Sequence, residues 1–285
     1  MCIRDRLSFA LDEEGNWTWA DDPEFPLDDT TVTAMVDLLT SLKPQQTITE
    51  GDTLEAYGLD DPFATLTATT PEGETLTLDF GNATTDGTSY YMLMNGQESP
   101  VYIVADTLYN YMCTAIYDMC ALPELPLLTE ERILSVTVSG AETWTLTPDE
   151  GEDEDGNEIV TWQCGGEDVT DAAADLIDEL KALTVTKCVD YKPTDQAVTI
   201  CGFDEPVKVT LVYLTDSGTE QTLTLQIGTE NLDGDGYYVR VDDDTTIYQM
   251  DLDSVDALVS AAQSGLTEAD TAEADTAAAE TDADA

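Results

Sequence analysis

The chain has no histidine among its 285 residues. That removes the side chain most used as a general base near neutral pH and the commonest transition-metal ligand. It also leaves any serine or cysteine nucleophile without its usual partner. Positive charge is scarce as well: 9 Lys and Arg stand against 61 Asp and Glu, for a formal charge of −52. Binding phosphates takes clustered cations, so no nucleic-acid partner is expected, and an anionic membrane surface would repel the chain. No apolar run reaches the roughly 18 residues that a membrane-spanning helix needs. The six cysteines (Cys2, Cys113, Cys120, Cys164, Cys188 and Cys201) show neither CxxC nor paired zinc spacing. Cys113 and Cys120 fall on one expected helix about 10 Å apart in rise, too far to bridge. Free buried thiols are expected, with Cys188 to Cys201 as the one pairing to test.

Apolar residues make up 42% of the sequence, enough for cores, and the length suggests about two domains. A repeat says the same. Tyr57-Gly58-Leu59-Asp60-Asp61-Pro62 returns as Cys201-Gly202-Phe203-Asp204-Glu205-Pro206, and Leu76 to Gly81 returns as Leu223 to Gly228. In each hexamer Gly permits positive φ while Pro fixes its own φ and pushes the residue before it toward extended backbone. Each hexamer therefore reads as a rigid corner that launches a strand. The corner residues Tyr57, Gly58, Asp60, Pro62, Gly202, Asp204 and Pro206 are expected to be scaffold.

The rest of the chain falls into the same pattern. Residues 1–6 have no periodicity and no signal-peptide core, and read as a non-native segment. They resemble a translated sequencing-adapter fragment, so the true N-terminus is expected to be missing, with any export signal or anchor. The strand Ile133 to Val138 has no counterpart before Leu7. Leu7 to Leu11 with Trp17 to Ala20, and Glu142 to Thr147 with Glu158 to Gln163, read as hairpins. The second has an acidic tip, Pro148 to Asn157, and Trp162 corresponds to Trp19. A helix follows each, capped by Asp28 or Asp29 and by Thr170 or Asp171. Val32, Met35, Val36, Leu39 and Leu42 line one face of the first, and Ala173, Leu176, Ile177, Leu180 and Leu183 one face of the second.

After each corner come strands joined by loops too short for parallel crossovers: Phe63 to Thr70, Thr75 to Phe80, Ser89 to Met94 and Val101 to Val104, then Val207 to Leu214, Thr222 to Ile227, Tyr237 to Val241 and Thr246 to Met250. Closing helices are expected over Asp106 to Leu122 and Asp251 to Ala262. The expected organisation is a first repeat over 7–126 lacking its first strand, a second over 127–262, and a disordered acidic tail over 263–285. The fold class is α+β. Each of the two tandem pseudo-repeats has a hairpin, a helix, an antiparallel sheet of about four further strands and a second helix.

The residues Tyr57 to Asp60 with Pro62, Phe80-Gly81, Tyr90-Tyr91 and Val101-Tyr102 recur as Gly202 with Pro206, Ile227-Gly228, Tyr237-Tyr238 and Ile247-Tyr248. Together they resemble the family called domain of unknown function 4340, in two copies over most of 7–262. Cys201 and Phe203 depart from its Tyr and Leu. The resemblance implies a bacterial extracytoplasmic protein, often tethered by an N-terminal transmembrane segment and in some cases associated with transport or gliding machinery. It implies no catalytic residues.

Two acidic stretches invite calcium. Asp149 to Glu158, with Asp153 and Asp155, places its Gly too early for an EF-hand loop, and Asn231 to Gly236, with Asp233 and Asp235, lacks the closing Glu. Weak cation association is expected there, and no cofactor. No pair of carboxylates is marked as driven apart in pKa. The function expected is therefore non-enzymatic: a structural or protein-interaction module, extracytoplasmic, at the cell surface or membrane-anchored, with a protein partner in the cell envelope. The alternative is a module binding a cation or small ligand in the inter-repeat cleft or at the acidic loops.

Overall fold

The computed structural model describes residues 6–152 and 158–266. Residues 1–5, Asp153 and Asp155 of the acidic tip, and the expected tail from 267 on lie outside them. The chain divides into two compact units, Met1–Ala121 and Leu122–Ala285.

In the first unit, β1 (Phe9–Leu11) and β2 (Trp17–Trp19) form a hairpin with Phe9 opposite Trp19. Its turn is held by Asp12, whose carboxylate accepts from the N–H groups of Glu14 and Asn16. Helix α1 (Thr30–Ser41) follows. Asp29 occupies the cap position without a side-chain bond, while the Asp28 carboxylate accepts from the Thr30 N–H at 3.0 Å and from its hydroxyl. Those bonds favour the ionised form and hold the Asp28 pKa below its ordinary value.

Strands β3 (Gln46–Ile48), β4 (Ala64–Thr69), β5 (Thr75–Ala83), β6 (Ser89–Met94) and β7 (Val101–Ala105) make an antiparallel sheet in the order β3-β7-β6-β5-β4. Helix α2 (Thr107–Met112) then lies on the same core as α1. That core joins Val32 and Met35 to Leu78, Phe80, Met92, Val104, Leu108 and Met119. The sequence predicts a helix to Leu122, but the chain leaves it at Cys113 and makes a 3-10 turn over Ile116–Met119. The reason is tertiary: the backbone of Met119 and Ala121 bonds Asp28 and Pro26, which brings Met119 into the core.

The second unit continues with β8 (Ile133–Ser139), β9 (Thr143–Glu152), β10 (Glu158–Cys164), β11 (Glu167–Asp168), α3 (Thr170–Lys181), β12 (Lys187–Asp190) and α4 (Asp195–Ile200). Then come β13 (Val207–Leu214), β14 (Glu220–Glu230), β15 (Gly236–Val241), β16 (Ile247–Asp251) and α5 (Asp256–Ser264). Among the described residues one sheet runs β11-β10-β9-β8-β13-β14-β15-β16-β12. Its β13-to-β12 portion repeats the order of the five-stranded sheet. The hairpin of β9 and β10 is joined to it through β8. Pro148 to Glu152, expected as loop, is strand, because Val160 and Thr161 of β10 carry the ladder on past Asp149 and Glu150.

The helix start also differs from expectation. Thr170 lies inside α3, and the capping group is neither Thr170 nor Asp171 but the carboxylate of Asp168, which accepts from the Thr170 N–H and hydroxyl. Asp168 is two positions before the helix, as Asp28 is before α1. The closing helix was predicted over Asp251 to Ala262; Asp251 instead ends β16, and α5 begins only after a 3-10 turn over Leu252–Ser254 and runs to Ser264. None of the five described cysteines is in a disulfide, with Cys120, Cys188 and Cys201 buried, Cys113 exposed and Cys164 between, so the Cys188 to Cys201 pairing is not formed.

The start of α5 is held by another helix. Glu179 of α3 is half-buried, and its carboxylate accepts from Ala257 N–H at 2.8 Å and Leu258 N–H at 3.2 Å. Burial raises its pKa, and the two backbone bonds only partly offset that. A raised carboxyl pKa means the folded state binds the proton more tightly than the unfolded one. Stability from this group is thus fully present below the unfolded pKa and lost as pH rises through the folded value. Glu179→Gln is expected to flatten that fall in a urea titration repeated between about pH 4 and 7; an unchanged profile would remove Glu179 as its source.

Candidate functional site

The two glycine–proline corners are the strongest shared feature of the sequence, and they occupy matching places in the two sheets. Gly58 N–H bonds Glu55 O and Leu59 N–H bonds Leu54 O; Gly202 N–H bonds Thr199 O and Phe203 N–H bonds Val198 O. Such a tight reversal puts Gly58 at φ +67° and Gly202 at φ +82°, in the left-handed region.

Each corner then docks on a bulge. The ladder of β5 with β6 slips between Phe80 and Ala83, and that of β14 with β15 between Ile227 and Glu230. A bulge frees a backbone N–H from the ladder. Here Asn82 N–H reaches Tyr57 O at 2.7 Å, and Thr229 N–H reaches Cys201 O at 2.9 Å. The glycine before each lets the backbones meet, since a Cβ on Gly81 would overlap the Tyr57 carbonyl oxygen and one on Gly228 that of Cys201.

Beneath the corners are small apolar clusters. Leu59, Leu93 and Val101 pack with Tyr57 and Tyr91 in one unit, and Cys201, Phe203 and Ile247 with Tyr238 in the other. The Tyr57 ring lies 4.5 Å from that of Tyr91, and its hydroxyl accepts from Asp52 N–H at 2.9 Å. Cys201 replaces that phenol, and Arg240 lies 4.5 Å over the Phe203 ring instead. Burial pushes the Cys201 thiol up, Asp190 adds to this and Arg240 opposes it, which favours the thiol over the more reactive thiolate. Alternation sends Tyr90 to the helix-covered face, where it stacks on Tyr109 at 4.1 Å. Asp60 and Asp204 are exposed, and Pro62 and Pro206 half-buried.

The other candidates do not converge on the corners. Asp233 and Asp235 lie in the turn between β14 and β15. Asp235 accepts from Asn231 Nδ2 at 2.6 Å and Gln249 Nε2 at 3.3 Å, which makes it a turn clamp. Among the described residues no three His, Cys, Asp or Glu side chains are placed to hold a metal ion. A surface depression of about 210 Å³ beside the end of α1, lined by Leu38, Leu42, Lys43 and Leu108, is smaller than the few hundred Å³ of a typical ligand site. Sequence reasoning found the corners but not the surfaces they dock on. The available signal was that Gly81 and Gly228 follow a large apolar residue inside a strand, where glycine marks a bulge or a close backbone approach.

A family model described as domain of unknown function (DUF4340) matches residues 17–163 and 168–269. No curated protein and no solved structure matches the chain.

Proposed function

We propose that this chain, which belongs to the DUF4340 family, is a non-enzymatic structural or protein-interaction module that works outside the cytoplasm, at the bacterial cell surface or tethered to a membrane. One observation carries the reading. The corner meets its sheet as backbone on backbone in both copies, Tyr57 O to Asn82 N–H and Cys201 O to Thr229 N–H, and Tyr57, Leu59, Cys201 and Phe203 of the corners pack into apolar clusters. Sites that do acid–base or nucleophilic work gather titratable groups with separated pKa values in a cleft. Here the repeated residues build a joint between a loop and a sheet. The charge balance of −52 supports a surface in contact with the medium and with cationic partners.

A panel of glycoside, ester and peptide substrates tests the reading. The expected result is no turnover above a buffer control, and turnover abolished by one carboxylate substitution would overturn it. Calcium tests the competing view of the turn at Asp233 and Asp235. Sub-millimolar calcium is expected to move the melting temperature no further than magnesium does at equal concentration, because screening a surface this acidic needs no specific site. A calcium-specific rise of several degrees, lost in Asp233→Asn, would favour the ligand-binding alternative.

A further inference from the structure

On the nine-stranded sheet, Val209 and Leu211 of β13 are buried with Val138 and Val136 of β8 opposite them. Trp144 of β9, opposite Val138, donates its indole N–H to Ala261 O of α5, so this is the face that α5 covers. Side chains alternate along a strand, and the residues between these point from the other face. One row there carries charge. Ser139 stands opposite Lys208, Lys208 opposite Gln226 and Gln226 opposite Arg240, a line across four adjacent strands. The row beside it is threonine, Thr137, Thr210 and Thr224.

The three nitrogen-bearing side chains of that line are unpaired. Among the described residues Lys208 and Arg240 form no ion pair and the Gln226 side chain makes no hydrogen bond, in a chain with 61 Asp and Glu. The Arg240 guanidinium is held 4.5 Å over the Phe203 ring. Of its nitrogens only Nε is buried without a partner, so the two Nη groups face solvent with their protons unused. Asp244 lies within electrostatic range, but its oxygens accept from Thr246 N–H and the Tyr248 hydroxyl. A guanidinium, an amide and an ammonium on strands about 4.8 Å apart suit carboxylates spaced along a chain. A phosphate would draw on backbone N–H groups, which the ladder here has used.

The sequence contains such a chain, and the fold starts it nearby. Ser139 opposite Thr143 is the last pair before the turn from β8 to β9. At that turn Glu142 N–H bonds Ala262 O, close to the end of α5. Residues 267–285 follow, with seven Asp and Glu and no Lys or Arg. Acid-Ala-acid occurs three times in them, as Glu268-Ala-Asp270, Glu273-Ala-Asp275 and Asp282-Ala-Asp284. In an extended chain residues two apart point the same way about 7 Å from each other.

We propose that Lys208, Gln226 and Arg240 are the docking site for the chain's own acidic segment, Glu268 to Asp284, and receive its paired carboxylates. The occupant is internal because the charge of −52 repels an acidic molecule arriving from solution, whereas this segment is tethered beside the site at high effective concentration. Docking closes this face of the sheet to other anions. The proposal stands apart from the non-enzymatic reading, and neither test bears on the other.

The test is zero-length cross-linking of the whole chain with a water-soluble carbodiimide, which joins a lysine amine to a carboxylate in contact with it. Light and heavy isotope-labelled chains are mixed and the linked peptides read by mass spectrometry. Expected are links from Lys208 to the acidic segment within one chain, several times more abundant than those from Lys187, an exposed lysine of β12. Raising NaCl from about 0.02 to 0.5 M is expected to remove them. Arg240→Gln, which leaves Lys208 able to react, is expected to lower the yield about fivefold. Because that variant also loses the contact with Phe203, a second measurement leaves the folded unit untouched. With Glu268→Gln, Asp270→Asn, Glu273→Gln, Asp275→Asn, Glu280→Gln, Asp282→Asn and Asp284→Asn combined, the NMR signals of the Gln226 side-chain amide are expected to shift. Lys208 links no more abundant than those of Lys187, links between chains, a yield unchanged by salt or by Arg240→Gln, or an unmoved Gln226 amide would each overturn the proposal.

Discussion

Gly228→Ala is expected to destabilise the second unit by about 3 kcal/mol or more. The reason is space, not conformation. The added methyl would overlap the backbone carbonyl of Cys201, and Phe203 lies close behind it. That carbonyl cannot swing away as a side chain would, because it accepts the Thr229 N–H at 2.9 Å and ends the reversal at Gly202. Relief would require lifting the corner off the bulge, which breaks that bond and uncovers Cys201 and Phe203, both buried. Gly81→Ala faces the same clash with the Tyr57 carbonyl and should act alike in the first unit. Gly218→Ala is the control: it sits at φ +75° with open space around it, so it should lose only the roughly 1 kcal/mol of a left-handed non-glycine residue. Urea midpoints at unchanged m-value measure all three. If Gly228→Ala costs no more than Gly218→Ala, the close docking of corner on bulge is wrong.

Trp162→Ala is expected to cost about 3–5 kcal/mol, the range for emptying a large aromatic site in a core. Trp162 is 1% exposed on β10, the strand that packs on α3, and its indole N–H donates to Glu130 Oε1 at 3.0 Å just before β8 begins. Its own N–H bonds the Thr170 hydroxyl at the head of α3. Trp162 thus holds the segment before β8 through its indole and the head of α3 through its backbone. Trp162→Phe keeps most of the volume and loses the indole bond, so about 1–2 kcal/mol is expected. Thermal melts of both variants check this. A loss under about 1 kcal/mol for Trp162→Ala would mean that β8 to β10 do not melt with the rest of the sheet.

Much of this architecture was legible because it obeys short-range rules. Alternating runs such as Ser89 to Met94 and Val207 to Leu214 became strands, and Ala173, Leu176, Ile177 and Leu180 became the buried face of α3, whereas Leu183, expected on that face, is buried past the helix end. What escaped were features set by distant partners. Asp149 and Glu150 look like loop until Val160 and Thr161 are laid beside them, and nothing singles out Asp168 as the cap until Thr170 turns its N–H back. The sequence marks both corners, yet nothing local says that Asn82 and Thr229 supply the N–H groups they need. The acidic turn reads both ways: Asn231 and Gln249 donate to Asp235, a use of carboxylates that composition cannot distinguish from cation binding.

The first family match, residues 17–163, is 147 residues long, the same as the spacing between Tyr90 and Tyr237. It therefore covers one full period, but out of phase with the folded units: it starts at β2, crosses the junction at Ala121 and Leu122, and stops in β10, while the second match opens beside α3. The strands that shelter Val209 and Leu211 are thus encoded in the tail of one sequence period and used by the sheet of the next. A fragment cloned to the second match alone would leave behind β8, β9 and β10, with Trp144 and Trp162, and expose the flank they cover. Truncations of this protein should start upstream of Ile133, with the sheet as the ruler.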